Sequence, residues 1–128
     1  EQVPDASITD GSAQKALTAA RARWKAKGPR SYTMRVRRSC FCAPPYTSPH
    51  TVVVRGGRIV RAHEAVRDVA TVPRLFRVVQ RAINSKAVRL SVRYDSTRGF
   101  PRSIAIDQSF MIADEEQAFT VDRFKRLR

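Results

Sequence analysis

The sequence predicts an α+β fold: a single antiparallel sheet of about six strands with two helices packed on one face, in the order α-β-β-β-α-β-β-β. Three observations support this. Apolar residues recur at three and four in two segments, alternate with polar ones in the segments between, and are punctuated by glycine and proline turns at Gly56-Gly57 and Gly99–Pro101. The 128-residue, 14.5 kDa chain fits one domain, large enough to bury roughly two thirds of its unfolded surface without a metal or disulfide. Residues 1–11 read as a loosely ordered leader and 12–128 as the single α+β domain.

Residues 1–10 are polar and lack periodicity. Asp10 or Ser12 supplies a helix cap, after which Ala13, Ala16, Leu17, Ala20 and Trp24 share a face until Gly28-Pro29. Trp24 is expected to anchor this helix in the core. From Ser31 the period changes to two: Tyr32, Met34 and Val36 face one way, and Thr33, Arg35 and Arg37 the other, a strand with one wet side. Pro44-Pro45 breaks it, because neither proline can donate to a ladder. His50–Arg55 and Arg58–Ala62 flank Gly56-Gly57, a two-residue hairpin signal that sets Val54 opposite Ile59 and Val53 opposite Val60. With apolar residues on both faces, this hairpin is not expected to hang at the edge in water.

Thr71-Val72-Pro73 opens a second helix in which Val72, Leu75, Phe76, Val79, Ala82 and Ile83 repeat on one face while Arg74, Arg77 and Arg81 take the other. Val88, Leu90, Val92 and Tyr94 then alternate with polar residues, a turn follows, and Ile104 and Ile106 mark a further strand. Ala118–Phe124 is the last strand, and Lys125–Arg128 is expected to fray. The element order leaves room for a duplicated half, although no residue-level repeat proves one.

Lys and Arg outnumber Asp and Glu 25 to 11, a formal net charge of +14, with a sequence pI near 11.3. Such a balance favours an anionic ligand, phosphate, lipid or an acidic protein as partner. Without a nucleic-acid-binding motif, it points to no specific nucleic acid and leaves non-specific nucleic-acid or polyanion binding as an alternative. No apolar run approaches the roughly 20 residues of a membrane span. The chain starts at Glu1 without methionine or a basic-then-apolar leader, so export of a processed form is allowed.

Both cysteines lie in Cys40-Phe41-Cys42, followed by Ala43-Pro44-Pro45-Tyr46. In an extended strand Cys40 and Cys42 point to one face. A disulfide between them requires the bend that the prolines offer, and its tiny loop would add at most about 1.6 kcal/mol. A local disulfide, two buried thiols and thiol-redox or metal chemistry all remain open. Phe41, Pro44, Pro45 and Tyr46 are candidates for a binding surface. Cys40, Cys42, His50 and His63 form a donor set chemically suited to zinc or copper, set against the alternative that both histidines are surface residues. Asp107, Asp114, Glu115 and Glu116 form an acidic patch in a basic chain. They lack the alternating oxygen donors and glycine turn of a calcium loop, and neighbouring arginines account for them as charge compensation. No nucleophile or base stands beside them in sequence, so no catalytic residue is assigned.

The strand Ser31-Tyr32-Thr33 leading to Cys40-Phe41-Cys42, the Arg55–Val60 hairpin and the stretches Gly99–Ile104 and Met111–Glu116 together resemble the bacterial domain of unknown function 6174 family over about Trp24–Phe124. The resemblance implies a small exported or lipoprotein-type domain, secreted, periplasmic or attached to the envelope, with no assigned activity and no catalytic residue to carry over. The expected function is a non-enzymatic binding or accessory module of the bacterial envelope.

Overall fold

The alternation that starts at Tyr32 is realised in a strand, β1 (Tyr32–Ser39), with Tyr32, Met34 and Val36 buried and Arg37 exposed. The computed structural model describes residues 3–39, 43, 46–109 and 116–128. The remaining strands are β2 (His50–Arg55), β3 (Arg58–Arg61), β4 (Arg89–Tyr94), β5 (Pro101–Asp107) and β6 (Glu116–Arg126). They form one six-stranded sheet in the order β3-β2-β1-β6-β5-β4, antiparallel throughout. The helical segments are α1 (Ala6–Thr9), α2 (Ser12–Lys27), a 3-10 helix (Glu64–Val69) and α3 (Val72–Asn84).

One face of the sheet is covered. Leu17 and Ala20 of α2, Val66 and Val69 of the 3-10 helix, and Val72, Leu75, Phe76, Val79 and Ala82 of α3 share a core with Met34, Val36, Val52, Val54, Leu90, Ile104, Phe119 and Val121. The other face stays open, as expected for an antiparallel sheet whose strands alternate apolar and polar residues. α3 starts where Thr71 Oγ1 accepts the Arg74 N–H at 3.3 Å, with Pro73 in the first turn where no N–H is required. At the start of α2 the Asp10 carboxylate accepts the Ser12 N–H at 2.8 Å. The two helices are joined by Gln14 and Gln80, whose amides exchange hydrogen bonds of 2.8 and 3.2 Å.

Three local features lie outside the sequence expectation. Asp5, in the leader, caps α1, its N–H donates to Ala87 O at 2.8 Å, and its carboxylate accepts the Leu90 N–H at 3.0 Å. These bonds tie the leader to the start of β4. In the hairpin Val54 does face Ile59, but a bulge places Arg61 opposite Val53, and Val60 is 60% exposed on an edge strand. The tail does not fray at Lys125, since β6 runs to Arg126 and Leu127 N–H donates to Ser31 O at 2.9 Å.

An aromatic cluster locks α2 to the sheet. Trp24 meets Tyr32 and Phe124 edge-on at 5.4 and 5.8 Å, while Phe124 stacks on Tyr32 at 5.0 Å and on Phe100 at 4.4 Å. The Tyr32 hydroxyl accepts the Val72 N–H at 3.0 Å, so it satisfies a buried donor in the first turn of α3. Gly99 lets the β4–β5 turn lie on α2: its φ is +85°, and a Cβ there would sit 2.3 Å from the Ala20 carbonyl oxygen.

Burial pushes the Tyr32 phenol up to about 12, partly countered by the Val72 N–H, from an ordinary 10.0. The neutral form is the one the fold holds, so this contribution is complete below pH 10 and is lost as pH rises through about 12. Tyr32→Phe should therefore cost about 1–3 kcal/mol at neutral pH, by leaving the Val72 N–H unsatisfied, and should blunt the alkaline loss of stability. Urea unfolding across that range measures both. Gly99→Ala should destabilise by about 2 kcal/mol or more, from the clash and the positive φ together.

Candidate functional site

At one end of the sheet β1 stops at Ser39 beside Ala118 of β6, and β5 stops at Asp107 opposite Glu116, the first residue of β6. Asp107 is also paired with Arg89, the first residue of β4, and His50 opens β2 opposite Val36. Ser39 leads directly into Cys40, and Glu116 follows directly on Glu115. Both segments singled out by the sequence are therefore joined to this end. Cys40, Phe41, Cys42, Pro44, Pro45, Asp114 and Glu115 themselves lie outside the described residues. Tyr46 is described: it is 41% exposed, and its N–H donates to Ala43 O at 3.0 Å.

The ladders place Ser91, Ala105, Ala118 and Ser39 side by side across four strands on the open face. Facing partners point to the same side of a sheet, so this is a continuous row of small side chains. It runs between a taller row, Arg93, Ser103, Thr120 and Arg37, and a charged one, Arg89, Asp107 and Glu116. The result is a groove of about 740 Å³, whose lining also includes Asp5 and Gln117. That volume falls within the range of small-ligand sites. A floor of alanine and serine lets a ligand approach the backbone, and the rim offers charges of both signs.

The acidic patch is divided by its surroundings. Asp107 is buried, its carboxylate accepts the Ser109 N–H at 3.1 Å, and its carbonyl accepts the Val88 N–H at 2.9 Å, so it finishes the β5 strand. Glu116 is exposed at the groove. Asp5 contributes a carboxylate that neither motif nor periodicity suggested. Burial pushes its carboxyl up, but hydrogen bonds from the Ser7 hydroxyl and the Leu90 and Ser7 N–H groups, with Arg89 nearby, bring it below its ordinary value.

His50 and His63 are brought together, with rings 4.1 Å apart and 15° from parallel. His63 Nδ1 accepts the Ala65 N–H at 3.0 Å and caps the 3-10 helix. The in-plane lone pairs of two near-parallel rings run side by side rather than converging on one ion, so this pair is arranged as a stack. Among the described residues, no group of three or more His, Cys, Asp or Glu could hold a metal ion.

The groove floor was missed in sequence because its four residues are unremarkable singly and become a row only through the register. A usable signal existed: each is a small residue at an outward position of its strand, where other outward positions carry larger or charged residues such as Arg37, Arg93, Asp107 and Glu116.

A family model described as "Family of unknown function (DUF6174)" matches residues 16–126. No curated protein and no solved structure matches the chain. Among the described residues no helix is long and apolar enough to cross a membrane.

Asp5→Ala removes both the α1 cap and the Leu90 N–H acceptor beside the groove, and should cost about 1 kcal/mol. Because the Asp5 carboxyl is held below its ordinary 3.8, its contribution is present above that pH and disappears as pH falls through the lower folded value. Acid titration of stability should be shallower in the variant, and amide exchange at Leu90 should be faster.

Proposed function

From the premise that the chain belongs to the family of unknown function DUF6174, we propose that it is a non-enzymatic binding or accessory module of the bacterial cell envelope, secreted, periplasmic or attached to the envelope. The observation that carries this reading is the groove over Ser39, Ser91, Ala105 and Ala118, a concave, small-floored site on an otherwise open sheet face. Binding folds commonly present a recognition surface on a sheet whose other face is committed to the core. The Cys40–Tyr46 segment, which follows Ser39 in sequence, carries the aromatic and proline residues that suit a binding role. The rim residues Arg89 and Glu116 suit a ligand bearing both charge signs, such as a peptide or a protein surface loop.

An envelope location also accounts for cysteine usage. In an oxidising compartment Cys40 and Cys42 form a local disulfide whose small loop fixes the turn after β1 rather than holding the fold together. Intact mass before and after reduction should differ by two hydrogens when the protein is purified from cells expressing the native gene. An unchanged mass with two alkylatable thiols would refute the bridge.

Ala105 is exposed on the groove floor. A photo-crosslinking residue placed there should trap a partner in envelope fractions, whereas the same residue at exposed Arg77 on α3 should not. Ala105→Leu fills the groove from an outward position and should leave stability within about 0.5 kcal/mol of the parent while abolishing a crosslink placed at Ser91. Equal trapping at Ala105 and Arg77, or recovery of the native protein from the cytosol alone, would defeat the proposal.

A further inference from the structure

The opposite end of the sheet is built from different chemistry. β1 and β5 begin there, β2, β4 and β6 end there, and α2 finishes beside them. Its basic residues come in the segments 25–30, 55–58, 98–102 and 123–128. Between the β4–β5 turn and the end of β6 lies a pocket of about 300 Å³, walled by Arg98, Arg102, Arg123, Phe100 and Phe124 with Asp95 and Asp122.

Both carboxylates are already engaged. Asp95 Oδ1 accepts from Arg102 Nη2 and Nε at 3.0 and 3.3 Å, and its Oδ2 accepts the Arg98 and Thr97 N–H groups at 2.7 and 3.2 Å. Asp122 accepts from Arg35 Nε and Nη2, and Arg35 with nearby Arg123 holds its carboxyl below the ordinary value. Among the described residues the ion pairs join Arg35 to Asp122, Arg38 to Asp68 and Arg102 to Asp95, and none involves Arg98 or Arg123. The acids orient one arginine and shape the turn that carries another, and a positive excess remains in the pocket.

The arginines are also held in place. The Arg98 guanidinium lies over the Phe124 ring at 5.4 Å and that of Arg102 over Phe100 at 6.0 Å. The rings cover one side of each guanidinium, so the Arg98 N–H edges and the Nη1 side of Arg102, whose Nε and Nη2 already donate to Asp95, are left for an acceptor. Arg123 sits at φ +51°, where β6 has one more residue than β1 between paired positions. Glycine takes that conformation without strain, so an arginine there places a charge at a position its backbone disfavours.

We propose that this pocket binds an oxyanion of the phosphate class through the guanidinium edges of Arg98, Arg102 and Arg123. Planar forks with several N–H donors match the tetrahedral oxygens of a phosphate. The anion is either free or the phosphate of a lipid headgroup. The site lies at the other end of the sheet from the groove and stands independently of the envelope reading.

The test is an NMR titration of the whole chain with inorganic phosphate, beside sedimentation with phosphatidylglycerol and phosphatidylcholine vesicles. The variants are Arg98→Gln and Arg123→Gly, with Arg77→Gln as an equal loss of charge on the helical face. Arg123→Gly relieves the positive φ, so it should melt no lower than the parent, which separates lost binding from unfolding. Phosphate should shift amides of residues 95–102 and 121–126, with affinity lowered about fivefold or more in the two pocket variants and by less than about twofold in Arg77→Gln. Saturable phosphate binding with that pattern supports a free anion. Binding to phosphatidylglycerol vesicles alone, with the same variant pattern, supports the headgroup. Equal loss in all three variants, shifts spread over the whole surface, or no response to either probe would overturn the proposal.

Discussion

The pairing of β1 with β6 is the constraint on which the rest of the structure depends. It joins residues near the two chain ends, from Tyr32 opposite Arg126 to Ser39 opposite Ala118, and turns two three-stranded meanders into one sheet. A slip of one residue would turn every inward side chain of a strand outward. The register is therefore set mainly by Met34 and Val36 on one strand and Phe119 and Val121 on the other. The two-bond pair between Arg35 and Asp122 marks the same register on the wet face. Being partly exposed, that pair contributes modestly to stability. The bulge in this ladder has a specific use: strict alternation after Val121 would turn Arg123 inward, and the extra residue instead delivers Phe124 to the aromatic cluster.

Most of the fold was legible because it depends on local periodicity. α2, α3, the Gly56-Gly57 turn and the inward sets of β1, β4 and β5 follow from spacing alone, and both glycines of that turn have positive φ as its primed type requires. The hidden parts depend on contacts distant in sequence. The order of residues 5–11 rests on bonds to Ala87 and Leu90, which no local pattern announces. The 3-10 helix carries apolar residues at spacings too short to stand out from a loop, yet it buries Ala65, Val66 and Val69. Strand order was likewise beyond reach, since the sequence does not say which hairpin edge meets which. The groove floor and the arginine pocket share this limit, as the first gathers residues from four strands and the second from two segments distant in sequence.

A sheet with one open face and two edges must also avoid pairing with its neighbours. The β4 edge is partly occupied, because the Asp5 side chain takes the Leu90 N–H and α1 lies beside it. The β3 edge is short, four residues, with arginine at each end, so a second copy approaching it meets like charge before it meets backbone. Exposed Val60 between those arginines is tolerable for the same reason. The high arginine content thus protects the sheet as well as furnishing its surfaces.

Antiparallel topology also explains why the two ends differ. Successive connections of a meander alternate between the ends of the sheet, so the composition of alternate loops becomes a polarity in space. The connection after β3 carries Glu64 and Asp68, and the segment from the end of β5 to the start of β6 carries Asp107, Asp114, Glu115 and Glu116. The connections at 56–57 and 95–100 and the C-terminal segment are flanked or filled by arginine and lysine, with Asp95 held by Arg102. A chain of net charge +14 is thereby divided into a mixed-charge end that carries the groove and a basic end that carries the arginine pocket. Each end can meet a partner of different chemistry while the same core holds both in register.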